Sequence, residues 1–416
     1  VKILVAGAST FGVKNLGDDA ILSCLVLSIR AELPEAEISI LLRHADPDYG
    51  SLFGLRVMKN FDHDDAKSAK GRFFLGLNEG DSRSQLVKIS SEIEKSDLLV
   101  IAGNSLMALS EPTVYRGVSS YATLVATIAM LSDTPYVLWG LNVVEPLENP
   151  ALQEQARFLI GGAHAVSVRE TAAHEHISNA VDVANPGKIS IGNDPAWGLD
   201  EREVGRVPLD RLIQLTGYED LLGGQFMTMN LRAEYWADNA KDEDQIRLGL
   251  EVLQWARESS LDVLLVPNCT YSSGALLQDD REFHRVLLER AGFPPHVHSI
   301  EKELNLFETV KIFSFSKAHV TNRRHSAFFS AMNSVPTVVL STSLATHNTG
   351  WFTAGEVEGN HFGIVHTRDG VKGILTKFVS EDQIWAFPNI ESLRRKSRKA
   401  FPDVIKGIGL REKVAK

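Results

Sequence analysis

The segment Thr321-Asn322-Arg323-Arg324-His325-Ser326 places two guanidiniums and an imidazole side by side, directly after an apolar run ending His319-Val320. A helix beginning near His325 turns its backbone N–H groups and the positive end of its dipole toward the strand edge. Guanidinium forks in that field suit an anion carrying both phosphate and carboxylate oxygens. Capping alone does not require two arginines and a histidine, so the segment reads as an anion site rather than a plain helix start with solvated arginines.

A second cluster, Asn15-Leu16-Gly17-Asp18-Asp19-Ala20, follows the first apolar run and Gly7. The glycines suit a strand-to-helix turn, with Asp18 or Asp19 placed to cap the next helix. A dinucleotide fingerprint is a poor match: Ser9 stands at the middle glycine of G-x-G-x-x-G, and the second strand runs into Arg43-His44 instead of an acid. Other candidates stand at other strand ends. Asp194-Pro195 offers a turn carboxylate or an acid/base, and Arg232 lies just past a strand. Arg169-Glu170 follows a strand and in its simplest reading is an ion pair. His296 and His298 share a strand face without a third ligand nearby, so no metal site is expected. The sequence contains no H-E-x-x-H, P-loop or G-x-S-x-G motif.

The elements that must hold these residues are legible as alternation. Apolar runs at 2–6, 37–42, 98–102, 135–139 and 164–168 predict strands, with helices at 18–32, 85–94, 119–131, 150–160 and 169–177 between them. A second series has strands at 225–231, 261–266, 296–300, 317–320 and 336–341, with helices at 242–258, 280–291, 304–312 and 325–333. Continuous apolar strands alternating with helices imply parallel sheets covered on both faces. The expected class is therefore α/β, with two Rossmann-like domains whose sheets face across a cleft. Boundaries fall at 1–200, a linker over 201–224, 225–388, and a basic helix over 389–416 packing back on the N-terminal domain.

Composition narrows the partners. The 416 residues carry 43 Lys and Arg against 53 Asp and Glu, a net charge of −10, which excludes a chain built to coat nucleic acid. The charge is unevenly spread: residues 391–416 carry +6 and the rest −16. That tail is either a solvated helix or a basic face for an anionic membrane surface or glycan. Two cysteines, Cys24 and Cys269, fit a reducing compartment. The longest charge-free apolar stretch, 117–132, is short for a membrane span, and Lys2 leads straight into a strand, so a cytoplasmic protein is expected, peripheral at the membrane at most.

Taken in order, Asn15-Leu16-Gly17-Asp18-Asp19-Ala20-Ile21, Ala102-Gly103-Asn104-Ser105, Ser167-Val168-Arg169-Glu170-Thr171, Asp194-Pro195-Ala196, Asn230-Leu231-Arg232 and Arg323-Arg324-His325 resemble the polysaccharide pyruvyl transferase family. The family's Arg-x-His pair falls on Arg323 and His325, with Arg324 where an apolar residue is more usual. The third-strand motif has Ala102-Gly103-Asn104 where the family is glycine-rich. The resemblance implies a fold similar to two-domain GT-B glycosyltransferases. It also implies transfer of a pyruvyl unit from phosphoenolpyruvate to two sugar hydroxyls in exopolysaccharide biosynthesis, with no cofactor beyond that co-substrate. On this reading His325 is the acid/base or phosphate-leaving partner, with Asp194 and Asp18 as further proton-transfer groups. Arg323, Arg324, Arg232 and Ser326 hold the donor. Asn15, Gly17, Asn104, Ser105 and Arg169 meet a glycan or lipid-linked oligosaccharide acceptor. The alternatives are a nucleotide-sugar glycosyltransferase of the same architecture and a glycan-binding member without catalysis.

Overall fold

The computed structural model describes residues 1–7, 14–42, 47–60, 83–103, 118–143, 146–181, 186–219, 225–232, 239–270, 279–340, 362–365, 370–379 and 389–410. The chain divides into two compact units, Val1–Leu199 with Ser392–Lys416, and Asp200–Glu391.

The first unit runs β1 (Lys2–Ala6), α1 (Leu16–Glu32), β2 (Glu37–Leu42), α2 (Pro47–Phe53), β3 (Arg56–Lys59), α3 (Arg83–Glu94), β4 (Leu98–Ala102) and α4 (Val118–Leu131). It continues with β5 (Tyr136–Leu141), α5 (Pro150–Gly162), β6 (Val166–Val168), α6 (Thr171–Ala180), β7 (Ile189–Ile191) and a 3₁₀ turn, Pro195–Gly198. Its strands form one parallel sheet in the order β3-β2-β1-β4-β5-β6-β7. Every residue of β4 and β5 is buried, as expected of central strands covered on both faces. Leu4, Leu99, Ile101, Leu138 and Val166 share one core with Ile93, Val125 and Leu159 from the covering helices.

The second unit begins where sequence suggested a linker. Residues 201–216 instead form α7 (Glu201–Arg206) and α8 (Leu209–Thr216), which bury Val204, Leu212 and Leu215. Apolar side chains at 204, 212 and 215 supply the face that a linker would lack. Then follow β8 (Phe226–Asn230), α9 (Asn239–Glu258), β9 (Asp262–Leu265), α10 (Asp280–Ala291), β10 (Val297–Ser299), α11 (Leu306–Phe313) and β11 (His319–Thr321). The unit ends with α12 (Arg324–Met332), β12 (Thr337–Leu340), β13 (Phe362–Val365) and α13 (Val371–Val379). Its parallel sheet has the order β10-β9-β8-β11-β12-β13.

In each sheet the first strand has its successor on one side and a later strand on the other, so the order reverses at β1/β4 and at β8/β11. Ligands of open α/β sheets bind beyond the carboxyl ends of strands at such switch points. The final helix, α14 (Ile390–Ile405), turns Leu393, Ser397, Phe401 and Val404 inward. Its Ser397 hydroxyl donates to the Asp194 carbonyl at 3.0 Å, and Arg398 donates to the Gly198 and Leu199 carbonyls.

Candidate functional site

At the β8/β11 switch point, one carboxylate gathers the ends of three strands. Asp279 caps α10 through the backbone of Arg281, so Asp280 faces inward and is buried. Its Oδ2 accepts from the backbone N–H of Asn268 (2.8 Å) and Cys269 (3.0 Å), just past β9, and from the Asn230 amide (3.0 Å) at the end of β8. Its Oδ1 takes the Arg323 guanidinium, with Nε at 3.1 Å and Nη2 closer still. Burial opposes the Arg323 charge, but the adjoining Asp280 carboxylate and Cys269 sulfur outweigh it and raise its pKa above the ordinary arginine value.

This alters two sequence assignments. Arg323 is not a donor clamp reaching outward: it is buried and engaged by Asp280, because an unpaired guanidinium there would carry a heavy desolvation cost. Ser326 is also turned inward, its hydroxyl 2.9 Å from His319 Nε2. Burial, partly offset by Thr228, holds His319 down at about 3, so it is a neutral core residue.

The chains leaving β8 and β11 are stitched together. Asn322 Oδ1 accepts from the Arg232 N–H (3.0 Å), while its amide donates to the Arg232 carbonyl (2.8 Å). Arg232 is thereby fixed beside the start of α12. Arg324 and His325 occupy the first turn of that helix, half-buried. Both pack on the buried Phe328 ring, Arg324 Cζ at 5.5 Å and the His325 ring edge-on at 5.8 Å between centroids. Among the described residues no side chain caps α12, whereas α1, α10 and α11 are capped by Asn15, Asp279 and Asn305. An uncapped first turn keeps its N–H groups directed at whatever occupies the strand edge.

His284, one turn beyond Asp280, accepts the Leu231 N–H on Nε2 at 3.4 Å. Burial is the main cause that lowers it to about 4; Arg323 acts in the same direction and Asp280 in the opposite one. Asp280 and His284 escaped the sequence reading. The acid pair Asp279-Asp280 was the available signal, since a cap needs only one of them.

In the first unit, Asn15 and not Asp18 or Asp19 caps α1: its Oδ1 accepts from Gly17 N at 3.2 Å. A cap must precede the first helical turn, and both aspartates lie inside it. Asp18 is buried, and so is Asp19, whose Oδ1 accepts from Tyr49 Oη at 2.7 Å. Burial pushes Asp19 up to about 7, against the opposing effect of the Tyr49 hydrogen bond.

A pH signature follows. Between the ordinary Asp value of ~3.9 and about 7, the folded chain holds a proton that the unfolded chain has released. Stability therefore falls as pH rises through that window, by up to ~1.4 kcal/mol per unit. Asp19→Asn removes the slope, so the variant should gain on the wild type steadily from about pH 4 to about pH 7. Urea midpoints across that range check it. A difference that does not change with pH would place the proton elsewhere.

Arg169 pairs with Asp194 and not with its neighbour Glu170. Nη1 lies 3.4 Å from Asp194 Oδ2, Nε donates to the Gly140 carbonyl at 2.8 Å, and buried Nη2 has no hydrogen-bond partner among the described residues. Asp194 is fully buried, and its Oδ1 caps the 3₁₀ turn through Ala196 N at 3.0 Å. That geometry makes it an anchor for Arg169 and the turn, not an exposed proton acceptor. Gly140 is another residue missed in the sequence. Its φ of +65° breaks the β5–β6 register, and a Cβ there would stand 2.8 Å from Pro195 Cγ. A glycine inside an apolar strand run was its signal. Asn104 and Ser105 lie outside the described residues.

Cys24 lies beneath Gly198, where a Cβ would approach its sulfur to 2.3 Å, and burial pushes its thiol up to about 12. It is a packing atom, not a nucleophile. His296 and His298 turn to separate partners, the Leu253 carbonyl and Asp262. Among the described residues no group of three or more His, Cys, Asp or Glu is placed to hold a metal.

Residues 15–343 match the family model described as polysaccharide pyruvyl transferase. No curated protein matches the chain. Among solved structures, UDP-GlcNAc 2-epimerase from Neisseria meningitidis bound to UDP-GlcNAc is similar at 13% identity and a TM-score of 0.60, over 98% of this chain and 100% of that one. The UDP-GlcNAc 2-epimerase from Methanocaldococcus jannaschii aligns at 13% identity and 0.59, over 97% and 100%. Anabaena HepE in complex with UDP and glucose aligns at 12% and 0.57, over 100% and 99%. At these identities the likeness is one of fold: the α/β class expected from the strand and helix pattern, in the GT-B-like form that the family resemblance implied.

Proposed function

The chain belongs to the polysaccharide pyruvyl transferase family, a family of transferases, and from that premise we propose that it moves a pyruvyl group from phosphoenolpyruvate to two hydroxyls of a glycan. The observation that carries this reading is the uncapped start of α12, with Arg324 and His325 in its first turn and Arg232 fixed beside it. Two guanidiniums, an imidazole and first-turn N–H groups complement a small anion bearing phosphate and carboxylate.

The chemistry is an addition followed by a displacement. One sugar hydroxyl bonds to C2 of the enol phosphate while the C3 methylene takes a proton. The second hydroxyl then bonds to C2, the C–O bond to phosphate breaks, and inorganic phosphate leaves as the cyclic ketal closes. His325 exchanges the protons, since imidazole is suited to both acid and base work near neutrality. Arg324 and Arg232 hold the donor oxygens and stabilise the charge that develops on the departing phosphate. Arg323 acts through Asp280, keeping the turn in place. The acceptor is a free glycan or a lipid-linked oligosaccharide.

Incubation with phosphoenolpyruvate and a panel of acceptor glycans tests the proposal. The expected result is stoichiometric phosphate release and an acceptor heavier by one pyruvate less one water. A nucleotide-sugar transferase is the second reading, because the similar structures include complexes with UDP-GlcNAc and UDP. Binding of UDP without any thermal shift or phosphate release from phosphoenolpyruvate would decide for that second reading.

A further inference from the structure

The ladder between β8 and β11 ends at the pair Asn230 and Thr321, where both chains leave the sheet. The Asn322 N–H still reaches the Asn230 carbonyl, at 3.4 Å. In a continued parallel ladder the next bonds would run from the Arg232 N–H to the Asn322 carbonyl, and from the Arg324 N–H back to the Arg232 carbonyl. The Asn322 side chain takes both places instead. Its Oδ1 accepts from the Arg232 N–H at 3.0 Å, and its Nδ2 donates to the Arg232 carbonyl at 2.8 Å.

The side-chain amide therefore acts as a surrogate peptide unit. It carries the pairing one step further while the backbone turns away through extended Arg323 (φ −107°, ψ 128°) into α12. The role suits asparagine: it presents a carbonyl and an N–H in one planar group, whereas aspartate has no donor and serine has a single hydroxyl. Asn322 is 1% exposed, so its amide does this work away from bulk water. The residues leaving β8 are tied in succession, the Asn230 amide to Asp280, the Leu231 N–H to His284, and Arg232 to Asn322. The tie on Arg232 runs straight to the segment that opens α12.

We propose that Asn322 is a positioning residue for the donor anion, holding the Arg232 main chain beside Arg324 and His325 so that the cations are in register before the anion arrives. The inference rests on the phosphoenolpyruvate reading and adds the residue that assembles that site. If losing the amide left Arg232 in place a tenth of the time, the apparent affinity for the donor would fall about tenfold. The effect belongs to binding more than to the chemical step, because the bound anion itself then holds the arginine.

A double-mutant cycle on Asn322 and Arg232 tests it. Asn322→Ala should raise KM for phosphoenolpyruvate about tenfold, with kcat falling less than about threefold. Arg232→Ala should also raise KM, and adding Asn322→Ala to it should raise KM little further, because the cation to be placed is gone. Urea midpoints should behave differently. Asn322→Ala should lose the same stability in both backgrounds, since the main-chain groups it strands are present with or without the Arg232 side chain. If Asn322→Ala does not fold, Asn322→Asp, of nearly the same shape but lacking the donor, takes its place in the cycle. An unchanged KM, or an equal rise with and without the Arg232 side chain, would make Asn322 a strand end only and overturn the proposal. A wild type that binds UDP and not phosphoenolpyruvate would overturn the proposed reaction alone, and the same cycle read on the Kd for UDP would decide the role of Asn322. Binding of neither ligand would overturn both.

Discussion

Asp280→Ala is expected to destabilise the second unit by ~3–5 kcal/mol, the cost of removing one partner from a buried ion pair. The substitution leaves the Arg323 guanidinium charged in a buried position, since arginine does not deprotonate in proteins. It also strands the N–H groups of Asn268 and Cys269 and the Asn230 amide, each of which donates to the same carboxylate oxygen. Removing both charges should cost less than removing one: Asp280→Leu with Arg323→Met leaves no buried ion, so the double variant should be more stable than Asp280→Ala. Urea denaturation of the single and double variants measures this. A loss below ~1 kcal/mol in Asp280→Ala would mean that the strand ends are held by packing alone.

That pair also marks the limit of what the residues alone disclose. Strands such as Glu37–Leu42 and Leu98–Ala102 were legible to the residue, because central parallel strands are buried on both faces and read as unbroken apolar runs. Strands Arg56–Lys59 and Ile189–Ile191 were not. Both lie at sheet edges, are partly exposed, and are too short to carry a pattern. At the site, local chemistry was legible and long-range pairing was not. The cationic start of α12 stands out from composition and position within seven residues of chain. Which of its arginines faces inward depends on Asp280, 43 residues earlier, and on where the loop after β9 delivers it. Likewise, Arg169 meets Asp194 across 25 residues instead of the glutamate beside it. Neighbours along an extended strand point to opposite faces, so adjacency in sequence disfavours that contact.

His325→Ala is expected to lower turnover with phosphoenolpyruvate by ~10²–10⁴-fold, the range over which positioned acid–base groups act. Stability should change little, because the ring is half-buried on the first helical turn and touches Phe328 edge-on, outside the Asp280 network. The kinetic form of the loss is as informative as its size. A proton-transfer group works in the transition state, so kcat and kcat/KM should fall together while KM stays within a few-fold. Arg324→Ala should show the opposite balance, with KM for phosphoenolpyruvate rising more than kcat falls, since a cation that grips the donor acts in the ground state as well. Phosphate release measured over a range of donor concentrations separates the two patterns. His325→Gln keeps a hydrogen-bond donor but cannot exchange a proton near neutrality, so it should resemble alanine in kcat if proton transfer is the role. Recovery of wild-type kcat by glutamine would make His325 a hydrogen-bond donor to the bound anion, and full turnover by folded His325→Ala would remove it from the chemistry altogether.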